Sequence, residues 1–229
     1  MAVHVLIQQK GGVGKSTLAM NLAAVKNDLL TDKGDDQEKS PVLVASVDPQ
    51  GSAIWWGDRV DDLPFQTTKV ENAAEIAQLP NLPGIDHVYL DTPGWLGERP
   101  GEDGNDGAAA AIYAALEIAD LAIVPITTEG LSFDPATRTI EKVLKPRKIP
   151  FVVVINAWEP RDSTLERDET IEFVDGMGWP RAKRVVRKYK VHSRGAVDGR
   201  VCTQYDASRT ALQAREDMMG LGAEIAERF

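Results

Sequence analysis

Residues 8–17, Gln-Gln-Lys-Gly-Gly-Val-Gly-Lys-Ser-Thr, hold the densest chemistry in the chain. Gly11, Gly12 and Gly14 can turn successive backbone N–H groups toward an anion, Lys15 supplies charge for β and γ phosphates, and the Ser16 hydroxyl can hold Mg²⁺. An apolar run, Val3–Ile7, leads into the loop, and a helical pattern leaves it near Lys15. That strand, loop, helix order aims the positive end of a helix dipole at the same anion.

The loop departs from the usual Walker A pattern, because Gln9 stands where the first glycine belongs and a second lysine, Lys10, precedes the glycine pair. KGGVGKST resembles the deviant Walker A motif of the ParA/MinD family of ATPases. The resemblance implies an α/β P-loop NTPase fold, a mostly parallel twisted sheet with helices on both faces. It implies ATP and Mg²⁺ as cofactors, bound by Lys10, Gly11, Gly12, Val13, Gly14, Lys15, Ser16 and Thr17. It also implies that Lys10 reaches across a homodimer interface to the opposite nucleotide, so that catalysis rests on Lys10, Lys15 and Asp48.

Further along, two apolar runs each end in an aspartate, PVLVASVD at Asp48 and HVYLD at Asp91. Ligands of open α/β sheets bind at such carboxyl ends. Asp48, within DPQGSA, resembles the family's switch I residue that faces the γ-phosphate and attacking water. Asp91, followed by Thr92-Pro93-Gly94, resembles its Walker B carboxylate, which makes Ser16, Asp48 and Asp91 the expected metal-binding set. Asn156, ending PFVVVIN, matches the family's adenine-reading asparagine; a turn or cap residue is the other reading. Trp55 and Trp56 read as packing residues and His87 as a surface residue.

The elements that must position these groups follow from periodicity. Leu18, Leu22, Val25 and Leu29 form a helical stripe, and short apolar runs at 41–48, 65–70, 87–91, 121–127 and 150–158 read as strands. Helices are expected over 71–79, 108–118, 135–144 and 159–176 and in the tail, whose stripe is Met218, Leu221, Ile225 and Phe229. The polar stretch 31–40 reads as an inserted surface connection and 97–107, rich in glycine and acid, as a mobile loop. At 229 residues and 43% hydrophobic content, the chain suits one domain spanning 1–229.

The single cysteine, Cys202, excludes an intrachain disulfide framework and a cysteine-built cluster. No apolar run is long enough to span a membrane, and acids in the tail oppose binding to anionic lipid, so no membrane partner and a cytoplasmic location are expected. Net charge is −9, yet residues 181–200 hold eight of the 26 Lys/Arg and one of the 35 Asp/Glu. Arg181, Lys183, Arg184, Arg187, Lys188, Lys190 and Arg194 are candidate DNA contacts through counterion release, an edge strand with outward charges being one way to present them. A solvated basic face is the other reading.

No segment precedes the phosphate loop that would hold a helix-turn-helix, so the resemblance points to a small ParA. It implies an ATP-switched, nucleoid-associated dimer that binds non-specific DNA, partitions plasmid or chromosome, and is released when a ParB-like partner stimulates a weak ATPase. A MinD-like or conjugation-associated positioning ATPase is the alternative. A ligase of the dethiobiotin synthetase type is a third, which the DPQGSA element disfavours.

Overall fold

The computed structural model describes residues 1–30, 39–95, 106–161 and 164–228. Six parallel strands form one sheet: β1 (Ala2–Leu6), β2 (Val42–Ser46), β3 (Gln66–Lys69), β4 (His87–Asp91), β5 (Leu121–Ile126) and β6 (Phe151–Ile155), in the order β3-β2-β4-β1-β5-β6. Register levels their carboxyl ends, since Asp91 pairs with both Leu6 and Ser46, and Leu6 in turn pairs with Ile123. The phosphate loop and both aspartates therefore emerge side by side.

Alternation along the strands divides the core in two. Val3, Val5, Leu43, Ala45, Val88, Leu90, Ala122 and Val124 point to one face, where α3 (Ala73–Gln78), α4 (Asp106–Glu117), α5 (Phe133–Arg138) and α6 (Thr164–Gly176) belong. Leu6, Val42, Val44, Tyr89, Leu121 and Ile123 point to the other. There α1 (Lys15–Leu30), α2 (Ser52–Gly57), α7 (Lys190–Asp198) and α8 (Arg209–Arg228) pack. Strands apolar on both faces require cover on both, which is why the fully buried β2 and β5 read as continuous apolar runs.

Several expectations are refined. Leu18, Leu22 and Val25 are buried in the α1 stripe, but Leu29 is exposed. The last turn meets α8 through an ion pair instead, Asp28 with Arg215 at 2.7 Å. The expected helix 135–144 is α5 followed by a π turn, Thr139–Leu144. Met218, Leu221 and Ile225 are buried as the tail stripe requires. Phe229 lies outside the described residues, as do 31–38 of the polar connection and 97–105 of the acidic loop.

The segment 181–188 is not an edge strand. It runs beside β6 with two single parallel bridges, Val153 to Arg181 and Trp158 to Arg187, and then enters α7. Carboxylates of α8 take the N–H groups that a strand would need: Glu224 accepts from Lys183 and Arg184, and Asp217 accepts from Arg187. No helix among the described residues is long and apolar enough to cross a membrane.

Candidate functional site

A cavity of about 690 Å³ opens at the carboxyl end of the sheet. Its floor is Gly11, Gly12, Gly14, Lys15, Ser16 and Thr17, and its sides include Asp48, Gln50, Ser52, Trp55, Trp56, Gly94 and His192. The loop leaves β1 and enters α1 at Lys15, with the Leu18 N–H already donating to Gly14 O at 2.9 Å. Gly14 has φ +92°, and a Cβ there would stand 2.2 Å from the Asn156 amide nitrogen. Gly94 lets the segment after β4 touch the loop, since its Cβ would lie 3.0 Å from Gln9 O. The Trp95 N–H bonds the same oxygen at 3.0 Å.

Lys15 is 7% exposed and its ammonium donates to the backbone carbonyls of Gln8 and Lys10, both at 3.2 Å. Burial lowers its pKa, while the charges of Asp91 and Asp48 oppose that shift. The cation is thus poorly solvated and ready to exchange two neutral acceptors for phosphate oxygens.

Asp91 is fully buried and accepts the Ser16 hydroxyl at 2.6 Å on Oδ2. Its Oδ1 is buried without a hydrogen-bond partner. Burial pushes its pKa up to about 7, against the pull of Ser16 and of the Lys15 charge. An orphaned buried carboxylate oxygen beside a serine hydroxyl fits Mg²⁺, which takes few protein oxygens and completes its shell with water and phosphate. Among the described residues no group of three or more His, Cys, Asp or Glu lies together, so a site built wholly from such side chains is absent there.

Asp48 accepts from the Gln50 N–H at 2.9 Å on Oδ1 and its carbonyl accepts from Gly51 at 2.8 Å. This Asx turn holds the carboxylate at the cavity side. Lys10 behaves differently from Lys15. Its ammonium leaves the loop and pairs with Glu129 at 3.2 Å, the two side chains being 27% and 73% exposed. Asn156 is buried and its amide donates to Val13 O at 2.8 Å, bracing the loop from behind. Trp56 is buried as expected of packing, whereas Trp55 is half exposed beneath the Arg59 guanidinium, 3.6 Å from the ring centroid.

Sequence reasoning missed several supporting residues. Thr139, presented by the π turn after α5, accepts from the Gln9 N–H at 3.2 Å and donates to Pro135 O at 2.8 Å. Gln8 is fully buried and its amide donates to Pro125 O at 3.3 Å. His192 lines the cavity from α7 although it lies far along the chain. Gln8 adjoins the loop in the chain, whereas no spacing marks Thr139 or His192, because they meet the loop or its cavity only through the fold.

The basic segment is largely neutralised internally. Arg187 forms a two-pronged pair with the buried Asp217, both bonds at 2.8 Å. Arg181 pairs with Asp175 at 3.0 Å, Arg194 with Asp198 at 2.9 Å, and Arg184 with Glu216 and Asp217 at 3.7 and 3.8 Å. Lys183, Lys188 and Lys190 are exposed and make no ion pair among the described residues.

The chain is 29% identical over 224 residues to the maintenance of carboxysome distribution protein A of Gloeobacter kilaueensis, covering 97% of this chain and 93% of that protein. Its fold is similar to that of the MinD cell division protein of Aquifex aeolicus, with a TM-score of 0.72, 16% identity, and coverage of 100% and 98%. An ATP complex of McdA from Cyanothece superposes with a TM-score of 0.68 and 13% identity over 99% of this chain and 96% of that one. The model of the CobQ/CobB/MinD/ParA nucleotide binding domain matches residues 4–218. The chain therefore belongs to this nucleotide-binding family, which includes the ParA and MinD ATPases.

Proposed function

We propose that this chain is a nucleotide-switched positioning ATPase, in which two ATP-bound protomers close face to face, hold non-specific DNA, and separate after hydrolysis. The observation that carries the reading is Lys10. A lysine inside a phosphate loop that turns away from its own cradle to Glu129 is available to a second protomer's phosphates once that exposed pair opens. Within each protomer, Lys15 exchanges the Gln8 and Lys10 carbonyls for phosphate oxygens, and Asp48, fixed by the Gln50 N–H, orients the attacking water. Mg²⁺ held by Ser16, Asp91 and Asp48 would neutralise charge developing on the phosphate oxygens. Lys10 from the opposite protomer adds charge as an arginine finger does.

Lys183, Lys188 and Lys190 supply the DNA contacts, and dimerisation doubles them, so that weak phosphate contacts add. A ParB-like partner carried by plasmid or chromosome is the release signal, which places the protein in the cytoplasm on the nucleoid. A protein assembly as cargo is a second reading, supported by the name of the Gloeobacter relative, a protein of carboxysome distribution.

The test is binding to random-sequence duplex DNA without nucleotide, with ADP and with ATP, across salt. Six engaged lysines predict ATP-dependent binding that weakens by about a thousandfold between 50 and 200 mM salt. Binding of equal strength with ADP and ATP would refute the switch.

A further inference from the structure

α7 stands between the nucleotide cavity and two of the exposed lysines. Lys188 and Lys190 lie at its N-terminal end, while His192, Ser193 and Ala196 form part of the cavity wall together with Gln50 and Ser52. His192 is 9% exposed, and both of its ring nitrogens are buried without a hydrogen-bond partner. Leaving such atoms unpaired is unfavourable, so an imidazole is a poor filler for this wall unless one state of the cavity satisfies it.

The helix is also fastened to the segment that follows Asp48. A Cβ at Gly195 would fall 2.5 Å from the Trp56 ring and 2.8 Å from Arg200 O, so α7 lies directly against α2. The Trp56 indole donates to Arg200 O at 3.2 Å, closing the contact just beyond α7. On its other side α7 continues from Tyr189, whose hydroxyl donates to the Gln213 amide oxygen of α8 at 3.3 Å. The helix that follows the Asp48–Ser52 turn is thus packed against α7, whose first residue is Lys190.

We propose that His192 is a positioning residue that hydrogen-bonds the Asp48–Ser52 turn, through the Gln50 amide or the Ser52 hydroxyl, when ATP fills the cavity, and so sets the pose of α7 and its lysines for DNA. The inference rests on the switch reading above and adds its route. Burial lowers the pKa of His192 to about 4 even with the Asp217 charge opposing it. The ring is therefore neutral at pH 7, with one donor and one acceptor to offer. Glutamine can imitate that pairing and leucine cannot.

The experiment compares wild type, His192→Leu and His192→Gln at saturating ATP·Mg²⁺ and ADP·Mg²⁺, reading amide hydrogen exchange over residues 188–198 and affinity for random duplex DNA. In wild type, ATP slows exchange in α7 and raises DNA affinity over the ADP state. His192→Leu removes two unsatisfied nitrogens and fills the space, so it folds with an unchanged or higher Tm. It loses the ATP-specific protection, and its ATP-over-ADP ratio of DNA affinities drops at least tenfold. His192→Gln retains most of both; His192→Met is a second apolar filler should leucine not fit.

Retention of ATP-specific protection in the apolar variants overturns the proposal. So does a glutamine variant as uncoupled as the leucine one, since packing alone would then explain the site. If wild type binds no DNA in any nucleotide state, the DNA-switch reading fails separately, and the exchange data still decide the role of His192.

Discussion

Arg187→Ala separates a structural arginine from a DNA contact. Arg187 donates through Nε and Nη2 to Asp217, which is 1% exposed and also accepts the Arg187 backbone N–H at 3.1 Å. Asp217 holds the pKa of Arg187 above its ordinary value, mainly through those side-chain bonds. Removing one partner of a buried pair strands the other charge, at a cost of about 3–5 kcal/mol. Because 21% of the Arg187 side chain remains in water, the expected loss is about 3 kcal/mol, the low end of that range. Urea unfolding should show the midpoint falling with the slope unchanged.

The double variant Arg187→Met with Asp217→Leu should recover most of that loss, because no charge is left unpaired. The Arg187 backbone N–H, deprived of its acceptor, keeps the recovery incomplete. Lys188→Ala, by contrast, should change stability by less than about 0.5 kcal/mol and weaken DNA binding. An Arg187→Ala protein as stable as wild type, or a double variant no better than the single, would refute the ion-pair argument. Arg187 would then rejoin the candidate DNA contacts.

Three further outcomes follow from the structure. Asp91, with its pKa raised to about 7, binds a proton in the folded chain that the unfolded chain releases near pH 4, so folded stability falls as pH rises between those values. Asp91→Asn abolishes this term, and its unfolding free energy should gain on wild type by at most about 1.4 kcal/mol per pH unit, measured without nucleotide. His4, whose pKa burial lowers to about 4, acts in the opposite direction. Protonating it costs stability as pH falls from about 6.5 toward 4, so His4→Phe should flatten that limb of the profile. Asn156→Ala leaves the Val13 carbonyl without its donor and should weaken ATP and GTP binding alike. Loss confined to ATP would instead favour the adenine-reading role.

Much of the site is legible in the sequence because it is local. The glycines, Lys15 and Ser16 are contiguous, and each aspartate ends an apolar run that levels it with the loop. What the sequence does not disclose depends on long-range pairing. Glu129 and Thr139 reach the loop from 119 and 130 residues away, and His192 reaches its cavity from farther still along the chain, with no periodicity linking them to it. The basic segment is only partly legible for the same reason. Its charge is conspicuous, but the acids that neutralise Arg184 and Arg187 belong to α8, some thirty residues later. N–H groups of this segment are taken by α8 carboxylates, contacts that no local pattern announces.

The claim that Lys10 serves the opposite protomer is tested most directly by mass. Light scattering after gel filtration should show wild type near 25.0 kDa with ADP and near twice that with ATP·Mg²⁺. Lys10→Ala should bind a fluorescent ATP yet remain at the single-chain mass. A Lys10→Ala protein that doubles its mass with ATP as wild type does, or a wild type that never doubles, would contradict the account.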